Sequence, residues 1–234
     1  MRALQRLVLA SLFVTSFASE GWARNPNPGV MPIGHALHGT TYSQFSGQWW
    51  QWAYSYPVDT NPVYDDTGEF ADEGQSGAVW FLAGSFGETL TRTVTIPSGK
   101  WLFFPILNTI WINIESLGDD PWSPEQMDYA FSQIEPLLDG VEQLGCEIDG
   151  VAVSDIESYS VATAPGDEYT ITFPDDNVWG LDAGDYGPSV DIGVYLMLRP
   201  LSAGEHTIHI TASDAETAWV LDVTYYLTVE GGRR

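Results

Sequence analysis

Positive charge is what this sequence has least of. Its 234 residues carry eight Lys plus Arg against 32 Asp plus Glu, a formal net charge of −24, and Lys100 is the single lysine. So few cations cannot neutralise a run of phosphates, which excludes binding to nucleic acid through a basic face, and they give no electrostatic hold on anionic lipid. Cysteine is nearly absent as well. Cys146 stands alone, so no intrachain disulfide can form and the core must hold without covalent staples. Long apolar runs are missing beyond the N-terminus: the most apolar stretch, residues 101 to 112, contains Pro105, Asn108 and Thr109 and falls short of the ~20 residues of a membrane span. Apolar residues as such are not scarce. They make up 44% of the chain, with ten tryptophans, which is enough to build a core and excludes a disordered chain.

The first residues have the pattern of a secretion signal. Arg2 and Arg6 precede a short apolar stretch over residues 7 to 18, and Gly21 and Ala23 are small residues at the −3 and −1 positions of a cut after Ala23. A cut near Ala18 or Ser19 is the alternative. Residues 1–23 therefore read as a signal peptide, giving a secreted or periplasmic protein with no membrane span after its removal. Loss of Arg2, Arg6 and Glu20 would leave the mature chain one unit more negative. Residues 24–41, rich in Pro and Gly, read as an extended arm.

A helix is expected over residues 42–55, because Phe45, Trp49, Trp52 and Tyr56 fall on one face. A second is expected over 123–139, with Ser123 as N-cap, Pro124 at the first helical position and Gln126 completing a capping box; Pro136 kinks it or starts a new turn. Elsewhere the apolar period is two. Residues 78–84 fit a central strand, and Gly84-Ser85-Phe86-Gly87 a hairpin turn. Arg92, Val94 and Ile96 share a face, as do Val190, Ile192, Val194, Leu196 and Leu198, then Ile208, Ile210 and Ala212, and then alternate residues from Trp219 to Val229. Cys146 opens a similar strand as a buried thiol. This is a mostly β pattern: a single-domain β-sandwich or jelly roll over residues 42–230, with two helical insertions.

Several motifs resemble those of a group of secreted bacterial proteins. They are Trp49-Trp50-Gln51-Trp52, Asn61-Pro62, Asp66-Thr67-Gly68, the run Gly74-Gln75-Ser76-Gly77-Ala78-Val79-Trp80-Phe81-Leu82-Ala83-Gly84, Pro97-Ser98-Gly99-Lys100 and Leu196-Met197-Leu198-Arg199-Pro200-Leu201. The resemblance spans roughly residues 40–230 and brings no activity with it. It implies a cysteine pair where this chain has Ala71 and Val94, so that cross-link does not carry over. The closing hairpin, residues 204–210 followed by 223–229, also resembles that of immunoglobulin-like extracellular domains, which bears on fold alone.

Candidate chemistry is sparse. Glu147 and Asp149 share a strand face and resemble the start of the Glu-Ile-Asp catalytic strand of laminarinase-type glycosidases. The partner acid that family requires is replaced by Val151, Ala152 and Val153. The alternative is a strand ending in an Asp149-Gly150 turn. Asp65, Asp66, Glu69, Asp72 and Glu73 crowd into nine residues and are the candidate Ca²⁺ site, or else a solvated acidic loop. An EF-hand is excluded by Phe70 and Ser76 at its sixth and twelfth positions. His35 and His38 lack further ligands, and His206 and His209 point to opposite strand faces, His206 as a hydrogen-bonded core residue. No Gly-x-Ser-x-Gly or phosphate-binding glycine loop is present. Trp49 and Trp52 belong to the core face of the first helix. Trp50 and Tyr54 lie off it and, with Trp111, Trp122 and Trp179 beside polar loops, are candidates for stacking on sugar rings. The expected function is a non-catalytic extracellular carbohydrate-binding module with Ca²⁺ as an optional stabiliser. The alternatives are a carboxylate-dependent hydrolase of an extracellular polymer and a structural or surface-assembly protein.

Overall fold

The computed structural model describes residue 27 and residues 29–214 and 216–232, apart from the side chain of Asp139; the expected signal peptide and its cut site lie outside them. The chain is mostly β, two five-stranded sheets forming a β-sandwich. The strands are β1 (Val79–Phe81), β2 (Thr89–Ile96), β3 (Trp101–Ile112), β4 (Gln143–Ile148), β5 (Val151–Ala152), β6 (Ser160–Ala162), β7 (Tyr169–Phe173), β8 (Gly184–Leu198), β9 (Gly204–Asp214) and β10 (Trp219–Val229). The first sheet runs β1-β3-β8-β6, with β7 also paired to β8; the second runs β2-β10-β9-β4-β5. β1 and β2 pair parallel with β3 and β10, and the remaining ladders are antiparallel.

Three helices cover the sandwich: α1 (Tyr42–Ala53), α2 (Pro124–Ile134) and α3 (Pro136–Asp139). A capping box starts α1, with the Thr41 hydroxyl accepting from the Gln44 N–H and the Gln44 side chain accepting from the Thr41 N–H. Ser123 caps α2 as expected, but Gln126 does not close a box; its amide donates instead to the Asn113 side chain. Pro136 breaks the second helix, because it lacks the N–H that would continue the ladder.

Two expectations are corrected here. β1 is an edge strand and not a central one; its apolar character comes from Trp52 of α1, whose ring packs 5.7 Å from that of Phe81. Gly84-Ser85-Phe86-Gly87 is not a hairpin turn, since it carries the chain from β1 in one sheet to β2 in the other. β8 is also more than half-buried. Val190, Asp191 and every residue from Val194 to Leu198 are buried, with α1 and α2 both packed on β8 and Val190 clustered with the apolar face of α2. Cys146 is buried, and burial pushes its thiol up to about 12. Among the described residues no helix is long and apolar enough to cross a membrane.

Candidate functional site: a groove beside the free edge of β3

Past Phe103, β3 keeps its ladder to β8 but has no β1 partner on its other side. Three adjoining cavities line this region. The largest, about 690 Å³, lies between the sheets and is walled by Gly87, Leu107, Leu137, Asp214, Thr217 and Trp219. A second, about 160 Å³, shares Leu107 and Trp219 with it. A third, about 60 Å³, shares Ser85, Phe86 and Asn108 with the second and ends on Trp49, Trp50 and Tyr54.

The wall between them is the 84–87 loop, held from below by Arg92. This fully buried guanidinium donates to the carbonyls of Asp65 (2.6 Å), Gly84 (2.9 Å), Val63 (3.1 Å) and Ala83 (3.2 Å) and to the Tyr225 hydroxyl (2.8 Å). At the rim, Trp219 Nε1 donates to the Phe86 carbonyl at 3.0 Å. Gly87 allows that approach: its φ is +108°, and a Cβ there would sit 1.9 Å from Trp219 Nε1. Phe86 is 52% exposed, and its ring lies 5.1 Å from that of the exposed Tyr64. The groove therefore joins aromatic surface to hydroxyl, amide and carboxylate groups from Ser85, Thr217, Asn108, Glu88 and Asp214. Asp214 also caps the β9–β10 turn; its bonds to the Thr217 hydroxyl and N–H and the Glu216 N–H outweigh burial and hold its carboxyl below the usual range.

Under the groove lies a buried polar network. Asp191 of β8 is fully buried. Its Oδ1 accepts from the hydroxyls of Thr163 (2.9 Å), Ser46 (3.0 Å) and Tyr169 (3.2 Å), and its Oδ2 from Tyr195 (2.7 Å). Burial raises its carboxyl to about 6 in spite of those four donors. The same burial, with the Asp191 charge beside them, raises both tyrosines well above the ordinary phenol range.

The expected site residues are scattered. Trp50 and Tyr54 are 6% and 3% exposed, so they do not offer free ring faces; Trp50 Nε1 donates to Tyr195 at 3.0 Å, and both residues border the smallest cavity. Trp179 is 51% exposed but sits edge-on to Tyr54, and Trp122 packs into a satellite core with Met127 and Val190. The acidic loop is also not a cation cage. Asp65 turns inward and accepts from the Thr67 N–H and hydroxyl and from the Phe70 N–H. Burial alone would raise its carboxyl, but those bonds together hold it low. Asp66, Glu69, Asp72 and Glu73 are exposed, and among the described residues no group of three or more His, Cys, Asp or Glu could hold a metal.

Glu147 and Asp149 do not form an acid–base pair. Both Asp149 oxygens are engaged, with His206 Nδ1 at 2.8 Å and the Thr207 N–H at 2.9 Å. His206 is thus not a core histidine but one half of a clasp between the β4–β5 and β8–β9 turns. Its Nε2 donates to the Ser202 carbonyl at 2.9 Å, with the Ser202 hydroxyl at 3.3 Å. Asp149 Oδ2 and the Ser202 carbonyl are both acceptors, so the two bonds coexist only when the ring is an imidazolium, a form that cannot act as base towards Ser202. Burial would lower the His206 pKa, but the bonds to Asp149 and the Ser202 carbonyl raise it overall.

Asn108, Asp191, Tyr195, Phe86 and Trp219 were not singled out by sequence reasoning as site residues. The available signal was Asp191 itself, an ionisable residue inside an otherwise apolar strand. A scan against protein-family models finds no match, and neither does a search of the curated proteins. Among solved structures, 61% of this chain aligns with 96% of the chain in the solution structure of Amebosin, at 14% identity and a TM-score of 0.17. A score that low implies neither a shared fold nor a shared function.

Proposed function

We propose that this is a secreted or periplasmic, non-catalytic carbohydrate-binding module whose ligand lies in the groove between Phe86, Trp219 and Asn108. One observation carries the reading. The walls of a single groove combine exposed or half-exposed aromatic rings with hydrogen-bonding groups of several kinds, as a sugar with apolar ring faces and polar hydroxyls requires. The N-terminal signal pattern and the lack of basic surface fit a ligand that is neutral and extracellular. Among the described residues the groove is lined by two carboxylates, Glu88 and Asp214, and Asp214 is tied to its own turn, unlike the acid–base pair of a glycosidase.

A glycan array probed with the full mature chain should show retention of neutral oligosaccharides. Trp219→Ala and Phe86→Ala should weaken it about tenfold, the equivalent of about 1.4 kcal/mol. No retention of any glycan, or retention unaffected by both substitutions, would overturn the assignment.

A further inference from the structure

We propose that Asn108 is the polar anchor of the groove, its Oδ1 presented as the acceptor for a hydroxyl of the bound sugar and held in that orientation by Tyr195 and Asp191. The inference rests on the carbohydrate reading above.

The orientation follows from counting protons at one oxygen. The Tyr195 hydroxyl has three close partners: Asp191 Oδ2 at 2.7 Å, Trp50 Nε1 at 3.0 Å and the Asn108 side-chain amide at 3.1 Å. A phenol has one proton to donate and two lone pairs to accept with. An indole N–H can only donate, and an ionised carboxylate can only accept. The phenol proton therefore goes to Asp191, one lone pair takes Trp50, and the other takes a donor from Asn108. That donor must be Nδ2, because Oδ1 in its place would set two acceptors against each other. The amide cannot turn over without losing this partly buried bond, so Oδ1 faces away from Tyr195.

Oδ1 has no protein partner among the described residues, and it is not among the buried polar atoms left without one, so water reaches it. Asn108 lines both smaller cavities, beside Ser85 and Phe86. The backbone makes room for this side chain at one place. Gly193 of β8 stands opposite Asn108 in the ladder, and a Cβ on it would lie 2.6 Å from both Asn108 Cβ and the Leu107 carbonyl oxygen. A bare glycine and a phenol that is itself fixed by an indole N–H and a carboxylate thus hold one amide and leave its oxygen as a solvent-accessible acceptor, fixed before any ligand arrives. An acceptor fixed in this way loses little conformational freedom on binding and selects a ligand that carries a donor at that point.

The test uses the full mature chain, labelled with ¹⁵N, and cellohexaose, xylohexaose and chitohexaose as probes. The Asn108 side-chain amide resonances, identified by their absence in Asn108→Ala, should exchange slowly with solvent in the free protein. An oligosaccharide that binds should shift them, and Asn108→Ala should bind it about tenfold more weakly with an unchanged fold, as read from the backbone amide spectrum. Tyr195→Phe should speed exchange of the Asn108 amide. Fast exchange in the intact protein overturns the inference without recourse to any variant. An oligosaccharide bound equally well by Asn108→Ala overturns it too, while leaving the carbohydrate reading in place. Failure of all three oligosaccharides together with a blank glycan array overturns both.

Discussion

Arg92 and Asp191 take opposite charges into the interior, and among the described residues neither forms an ion pair. Each is satisfied by neutral dipoles instead, Arg92 by carbonyls and a phenol, Asp191 by four hydroxyls. The hydroxyls do not fully replace water around the carboxylate, which is why its pKa stays near 6. The folded protein therefore holds a proton at Asp191 over a pH range in which the unfolded chain, with a carboxyl near 3.8, has lost it. The sign is that of a raised pKa: the stabilisation is complete below about pH 4, declines as pH rises, and is gone above about pH 6. Asp191→Asn should abolish this dependence. The difference in urea-unfolding free energy between wild type and variant should shrink by roughly 2 kcal/mol between pH 4 and pH 7. Contributions from Asp65 and Asp149, which run the other way, cancel in that difference. A difference that does not change with pH would show that Asp191 is not perturbed.

At the scale of elements, the motifs most visible in the sequence serve the architecture. Trp49 and Trp52 donate to the carbonyls of Leu82 and Glu73, fastening α1 over the β1 edge. Asn61 closes the end of α1 by donating to the Ala53 and Tyr56 carbonyls. Gln75 pairs with both backbone groups of Phe81, covering an edge that would otherwise be open. These roles were legible as buried aromatic faces and turn residues, although their partners were not. The Asp149–His206 clasp was hidden for a different reason. It joins two turns that lie 57 residues apart in sequence and meet only because β4 and β9 pair in register. Its pH window has two limits. Asp149, with a lowered pKa, loses its contribution as pH falls through that value; His206, with a raised one, loses its contribution as pH rises through its own. Asp149 has 47% of its side chain in solvent, so the clasp is worth no more than about 1 kcal/mol. Hydrogen exchange at the Thr207 amide, corrected for intrinsic rate, should accelerate in His206→Ala. In the wild type it should accelerate as pH rises past the His206 pKa. Equal protection in variant and wild type would remove the clasp from the account of these turns.

Over the whole molecule, the charged side chains among the described residues lie at the surface around an apolar interior, with Asp65, Arg92 and Asp191 as the buried exceptions. Repulsion among exposed carboxylates is long-ranged and weakened by salt, while the buried polar bonds are screened far less. Added NaCl should therefore raise the melting temperature. CaCl₂ at matched ionic strength should raise it by the same amount, since the acidic loop gathers no cluster of ligands among the described residues. A distinctly larger rise with CaCl₂ would indicate a specific site and restore the calcium expectation.

The sequence by itself determined which face of each strand is apolar, where α1 and α2 start, and that no disulfide supports the fold. These follow from local periodicity, capping chemistry and a cysteine count. Only the tertiary structure decided the groove. Phe86 and Trp219 are 133 residues apart, and Asn108 faces Gly193 and Tyr195 only through the register of β3 on β8. Alternation shows that a residue leaves the strand on a given side, but not whether that side meets a helix, the other sheet or solvent. That difference made Trp50 a buried donor to Tyr195 and left Asn108 at the groove.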